Sequence, residues 1–203
     1  MRSLLGLVLL MVIWVSLPIN ANADQVALAF GGQLAGQVGS IEGNLKVAGP
    51  LMAVPWATLD GSKFEVMPMV QIKRPGVTLA VGPLMGSINN PATGATAYFG
   101  GELRSHFQLG RVALLVRLTQ RQTSTALLSR FANVGLEAGN PYLKLRVSYQ
   151  PINQPIQGRS NWIDRVALRA MTTYRRAVIG VEVRQNLDGT AKKTAMIDVA
   201  LPF

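Results

Sequence analysis

From residue 25 to the carboxyl end, apolar and polar side chains alternate in runs of about ten residues, a period of two that marks strands with two different surroundings. In 111–121, Val112, Leu114, Val116 and Leu118 oppose Arg111, Arg117, Thr119 and Arg121. In 142–149, Leu143, Leu145, Val147 and Tyr149 oppose Lys144, Arg146 and Ser148. The last run, 193–203, sets Ala195, Ile197, Val199, Leu201 and Phe203 against Thr194, Met196, Asp198, Ala200 and Pro202. Turn signals such as Asp60-Gly61, Pro75-Gly76 and Asp188-Gly189 separate the runs. Twelve runs result: 25–34, 40–48, 51–60, 63–73, 77–85, 95–107, 111–121, 124–137, 142–149, 164–174, 177–187 and 193–203. No stretch has a period of 3.6 strong enough to predict a helix.

Some runs fit poorly. The segment 51–60 alternates weakly and contains Pro55, and merging it with a neighbour lowers the count to ten. Pro55, Pro68 and Pro83 each remove a ladder hydrogen bond from a predicted strand. The run 124–137 is ambiguous, because Arg130 shares a face with Leu128, Val134 and Leu136. The longest connections, 86–94 and 150–163, are the fifth and ninth, while the tightest, near Pro75, Gly110 and Arg175, are even-numbered.

The amino end adds an address. Met1-Arg2 precedes an uncharged apolar run, 4–15, and then Asn20-Ala21-Asn22-Ala23, the layout of a secretory signal cleaved after Ala23. The apolar run is shorter than the ~20 residues a membrane helix needs. Residues 24–203 then suit one domain.

The terminal run, alternating apolar residues and ending on Phe203, resembles the closing strand of bacterial outer-membrane β-barrels. The resemblance implies an all-β fold, an up-and-down antiparallel transmembrane barrel of about twelve strands, with Phe203 as the signal read by the outer-membrane insertion machinery. An even strand count, long odd loops and short even turns suit a barrel with both termini on the periplasmic side. Phe64 and Tyr149 fall at external strand ends, and Phe107, Tyr174 and Phe203 at periplasmic ends, a sparse aromatic girdle facing outer-membrane lipid. Alternation alone also allows a soluble secreted β-sandwich or binding barrel with the apolar face turned inward.

Charge then points to the inner face. The chain carries +10, of which Arg2 leaves with the signal, and it has no cysteine for disulfides or thiolate metal sites. Secretion and the single spacing of Lys and Arg argue against nucleic acid and favour anionic lipids or solutes. In a barrel the inner face would carry Lys46, Lys63, Lys73, Arg104, Arg111, Arg117, Arg121, Lys144, Arg146, Arg165, Arg169 and Arg184 against Glu42, Glu65, Glu102, Glu182 and Asp198. Glu102, Arg104, Arg117, Arg146, Arg169, Glu182, Arg184 and Asp198 are the candidate lumenal site. They form either a structural ion-pair network or a path in which unpaired arginines select anions.

These residues suggest a small passive pore for anionic solutes, with a non-conducting structural or assembly barrel as the alternative. Catalysis has little support. His106 is the single histidine, its neighbour Ser105 points to the opposite face, and only a distant serine such as Ser129 or Ser148 could meet it as in an outer-membrane lipid hydrolase. No cofactor is expected, and no carboxylate cluster has metal-ligand spacing.

Overall fold

The computed structural model describes residues 23–33, 36–58, 60–90, 94–140, 142–155, 159–175, 177–188 and 193–201. The expected signal segment, Ala23 apart, and the expected insertion residue Phe203 lie outside the described residues. Twelve long strands form: β1 (Ala23–Gln33), β2 (Gly36–Ala48), β3 (Leu51–Thr58), β4 (Lys63–Arg74), β5 (Val77–Asn90), β6 (Gly94–Leu109), β7 (Val112–Gln122), β8 (Leu127–Gly139), β9 (Leu143–Tyr149), β12 (Arg165–Tyr174), β13 (Ala177–Asn186) and β14 (Lys193–Leu201). Between β9 and β12 stands a two-residue hairpin, β10 (Ile152–Asn153) and β11 (Trp162–Ile163). Each of the twelve predicted runs is one of the long strands.

Every pairing is antiparallel. The ladder runs from β1 through β8 in chain order, passes to β9 by Val134↔Tyr149 through Gly139↔Lys144, and continues through β12, β13 and β14. It returns to β1 by Val26↔Leu201 through Gln33↔Thr194. Each long strand therefore has a partner on both sides, which satisfies the backbone without a free edge.

Because side chains alternate across a strand, this ring has an inner and an outer set. The outer set is apolar: Leu136 is 56% exposed, Leu168 55% and Ile197 54%. The soluble reading, in which the same residues pack inward, is thereby overturned.

The connections differ from expectation in one place. The predicted polar loop 86–94 is mostly wall, since β5 continues to Asn90 and β6 begins at Gly94, with Ser87↔Ala97 and Asn89↔Ala95 paired. The connection 150–163 carries β10 and β11, which pair with each other and, at Ile152↔Phe131, with β8, raising the rim there. The even-numbered turns are short: 49–50, 75–76, 110–111, 140–142 and 175–176. Such tight hairpins need a residue with positive φ, supplied by Gly76 (φ 74°) in one and by Arg175 (φ 54°) in another. The Arg175 guanidinium lies 5.7 Å from the Tyr174 ring centre.

The prolines are not three separate defects. The β4–β5 ladder stops at Val66↔Met85 and resumes at Val70↔Val81, and Pro68 and Pro83 both fall in that single interruption. On its inner side Met67, Met69 and Leu84 are fully buried, in a cluster with Val54, Ala80 and Tyr98. Burying such side chains is worth about 1.5–3 kcal/mol each. A lost ladder bond costs about 0.5–1.5 kcal/mol. The packing therefore outweighs the gap, and Pro55, paired with Val66, stands beside it.

Candidate functional site

The remaining inner wall is charged. Strand register places Arg104 on β6 opposite Arg117 on β7, Arg146 on β9 opposite Arg169 on β12, and Arg169 opposite Glu182 on β13. Like charges facing each other across a ladder repel. Carboxylates relieve both arginine pairs. Glu102 accepts from Arg104, from Arg117 Nη2 at 3.0 Å and from the Thr119 hydroxyl at 2.9 Å. Glu137 accepts from Arg146 Nη2 at 2.6 Å and Nε at 3.1 Å, and pairs with Lys144 Nζ at 3.1 Å.

Two glycines allow links that skip a strand. Asp198 on β14 reaches Arg169 on β12 across Gly180 of β13, where a Cβ would stand 2.6 Å from the Asp198 carboxylate. Tyr98 on β6 lies over Gly86 of β5, where a Cβ would stand 2.6 Å from its ring, and donates to Glu65 Oε1 on β4 at 2.7 Å. Glu65 also holds Arg121 of β7, at 2.5 and 3.0 Å. The longest link joins Arg104 Nη1 to Glu42 Oε1 on β2 at 2.9 Å, spanning three intervening strands. Arg184 pairs with Glu182 on its own strand.

The eight residues read from the sequence lie on inner positions in four separate groups: Arg104 and Arg117 on Glu102, Arg146 on Glu137, Arg169 on Asp198, and Arg184 on Glu182. A cavity of about 420 Å³ is lined by Arg104, Arg117, Arg146, Arg169 and Arg184, with His106, Asn133 and Glu182. The expectation of unpaired arginines needs correction, since each of these five holds a carboxylate. The pairs, however, are lopsided. The Arg117 side chain is 34% exposed against 0% for Glu102, and Arg184 is 26% exposed against 9% for Glu182. The carboxylates lie against the wall while the guanidinium groups meet the cavity. Arg104 Nη2, Arg117 Nε and Arg169 Nε have no acceptor among the described residues, so donors outnumber acceptors.

Other expectations divide. Arg111 stands in a turn, Lys46, Lys63 and Lys73 are exposed, and Arg165 donates to the Asn186 amide oxygen at 3.0 Å. Glu137 was missed, although outward Val134 and Leu136 leave its position inward by parity. His106 lines the cavity, but among the described residues no hydrogen bond joins it to a serine, and Ser148 is bonded by the Gln150 amide at 3.2 Å. Among the described residues no cluster of His, Asp and Glu is placed to hold a metal.

No protein-family model and no curated sequence matches the chain. Solved structures do match. The KdgM porin aligns with TM-score 0.65 at 9% identity, over 88% of this chain and 99% of that one. The same porin in complex with disordered oligogalacturonate gives 0.64 at 10% identity, over 88% and 99%. The NanC porin gives 0.62 at 9% identity, over 88% and 98%, and Omp33 of Acinetobacter baumannii 0.55 at 9%, over 91% and 100%. The fold is that of an outer-membrane β-barrel. Identity this low establishes the architecture and leaves the task of the lumen to its own side chains.

Proposed function

We propose that the chain is a small passive pore for anionic solutes in the bacterial outer membrane, exported by the signal 1–23 and inserted with Phe203 as its terminal mark. The single observation that carries the reading is the lopsided burial of the ion pairs, which presents five guanidinium groups and one carboxylate to the cavity. A passing anion meets fixed positive charge in a narrow, poorly screened space, as in pores selected by rings of arginine. Likeness to barrels that are porins, one crystallised with an acidic oligosaccharide, supports the same reading. Pairing from behind holds each guanidinium in place and leaves its side chain between 19% and 34% exposed.

A non-conducting structural barrel is the second reading, favoured by the apolar cluster that occupies the inner wall of β3 to β5. Purified protein in a planar bilayer under a salt gradient separates the two. The pore reading expects steady conductance with an anion-directed reversal potential, reduced when Arg117, Arg146 and Arg169 are together changed to Gln. A silent bilayer favours the structural barrel, and cation selectivity defeats the anion assignment.

A further inference from the structure

Arg130 breaks the rule that charge stays inside. It sits on β8 on the same face as Ala132, Val134 and Leu136, exposed and outward, three residues from the strand's start, between Gln120 of β7 and Asn153 of β10. Among the described residues it has no carboxylate partner, and its Nε donates only to the neutral Gln120 at 3.2 Å. An arginine on the outer face of a membrane barrel is costly near mid-depth and tolerated near the headgroups.

Register shows what surrounds it. Gly101, Gln120, Arg130, Asn153 and Trp162 share one row across β6, β7, β8, β10 and β11, with Asn153 buried between Arg130 and the exposed Trp162. Two residues further along the strands, roughly 6.6 Å away, lies the row Val81, Leu103, Leu118 and Ala132. Gly101 has no side chain, so the wall is dented between these rows. The dent is a groove of about 430 Å³ with an almost wholly apolar lining, walled on one side by Trp162, which is 53% exposed, and bordered by Arg130.

We infer that this groove is a binding site for one phosphate-bearing anionic lipid, with an acyl chain lying along Leu103 and Leu118 and the headgroup phosphate on Arg130. The planar guanidinium fork matches phosphate oxygens, and its terminal N–H groups donate to them while Nε stays on Gln120. Trp162 stands where an aromatic ring borders the headgroup layer. The row spacing puts the charge one headgroup's reach from the apolar dent. The site rests on the reading that the outer face meets lipid, and it is independent of whether the lumen conducts.

Native mass spectrometry of the full chain, released from micelles doped equally with phosphatidylglycerol and phosphatidylcholine, tests the site. Phosphatidylglycerol should be retained about tenfold over phosphatidylcholine. Arg130→Gln should abolish that preference, and Gly101→Leu, which fills the dent, should lower retention of both lipids. Equal retention by the unaltered chain, or an undiminished preference in Arg130→Gln, overturns the site. Heat-modifiable gel mobility measured on each protein keeps the two readings apart. A chain that shows it but has no lipid preference refutes the site alone, and a chain that never shows it refutes the barrel and the site together.

Discussion

On β3, β4 and β5, the inner positions Val54, Met67, Met69 and Leu84 are fully buried against one another; further round the ring, on β7, β9 and β12, the inner positions include Arg117, Arg146 and Arg169, each with a carboxylate behind it. Both sides answer the same need, because a twelve-stranded ring is wider than one layer of side chains fills. The apolar side closes by contact and excludes water. The charged side closes by hydrogen bonds that leave its cations wet. The cavity lies between the two sides, with Met52, Met69 and Ala80 on one and the five arginines on the other.

The comparison can be broken at several points. The largest effect is expected from Leu84→Ala, which opens a void where the prolines already interrupt the ladder and should cost about 3 kcal/mol. The urea midpoint of heat-modifiable mobility reports it, and a loss no greater than at an exposed valine would mean that the apolar side is loosely packed. Glu102→Gln comes next. It strips one carboxylate from two arginines, and because Arg117 is 34% exposed the cost should be about 2 kcal/mol, short of that for a fully buried pair. The same variant should strengthen anion preference; a weaker preference in the bilayer would contradict the assignment of the arginines to the wet side.

Gly180→Ala pushes a methyl group into the Asp198 carboxylate and should cost about 1.5 kcal/mol. Its reversal potential should shift further toward anions as Arg169 loses its clamp, and an unchanged potential would remove Arg169 from the path. The smallest change is expected from Tyr98→Phe, at the seam where the apolar cluster meets Glu65. Losing that hydrogen bond should cost about 1 kcal/mol, read by the same urea midpoint, with conductance kept. A loss as large as that of Leu84→Ala would mean that the two sides are one cooperative unit.

The fold was legible wherever one face differed from the other. From Val112 to Leu118 in β7 and from Leu143 to Val147 in β9 every second residue is Leu or Val and the rest include Arg or Lys, so parity alone sets each side chain in or out. The apolar patch inside β4 was not legible: the run 63–73 alternates clearly, with Glu65 and Gln71 on the inner face, and nothing in that pattern marks Met67 and Met69 between them as a buried cluster. The loop 86–94 misled because Ser87, Asn89 and Gly94 carry the chemistry of a turn, whereas pairing with the next strand decides where the wall ends. At the site, the arginines and the carboxylates Glu102, Glu182 and Asp198 were found by parity, but which meets which was not, and Glu137 was missed. That Asp198 meets Arg169 depends on Gly180, and no spacing along the chain announces a contact that skips a strand. Arg130 was visible as an anomaly, and only the register of β7 and β8 shows that it faces outward.

Glu42 and Arg104 lie 62 positions apart. Neither can find the other until five consecutive strands have curled into their final arc, so this contact is a clasp that shuts late in assembly. A molecule arrested halfway round would leave the Glu42 carboxylate without its cation while Arg104 keeps Glu102 on its own strand, and completing the curl is what relieves Glu42.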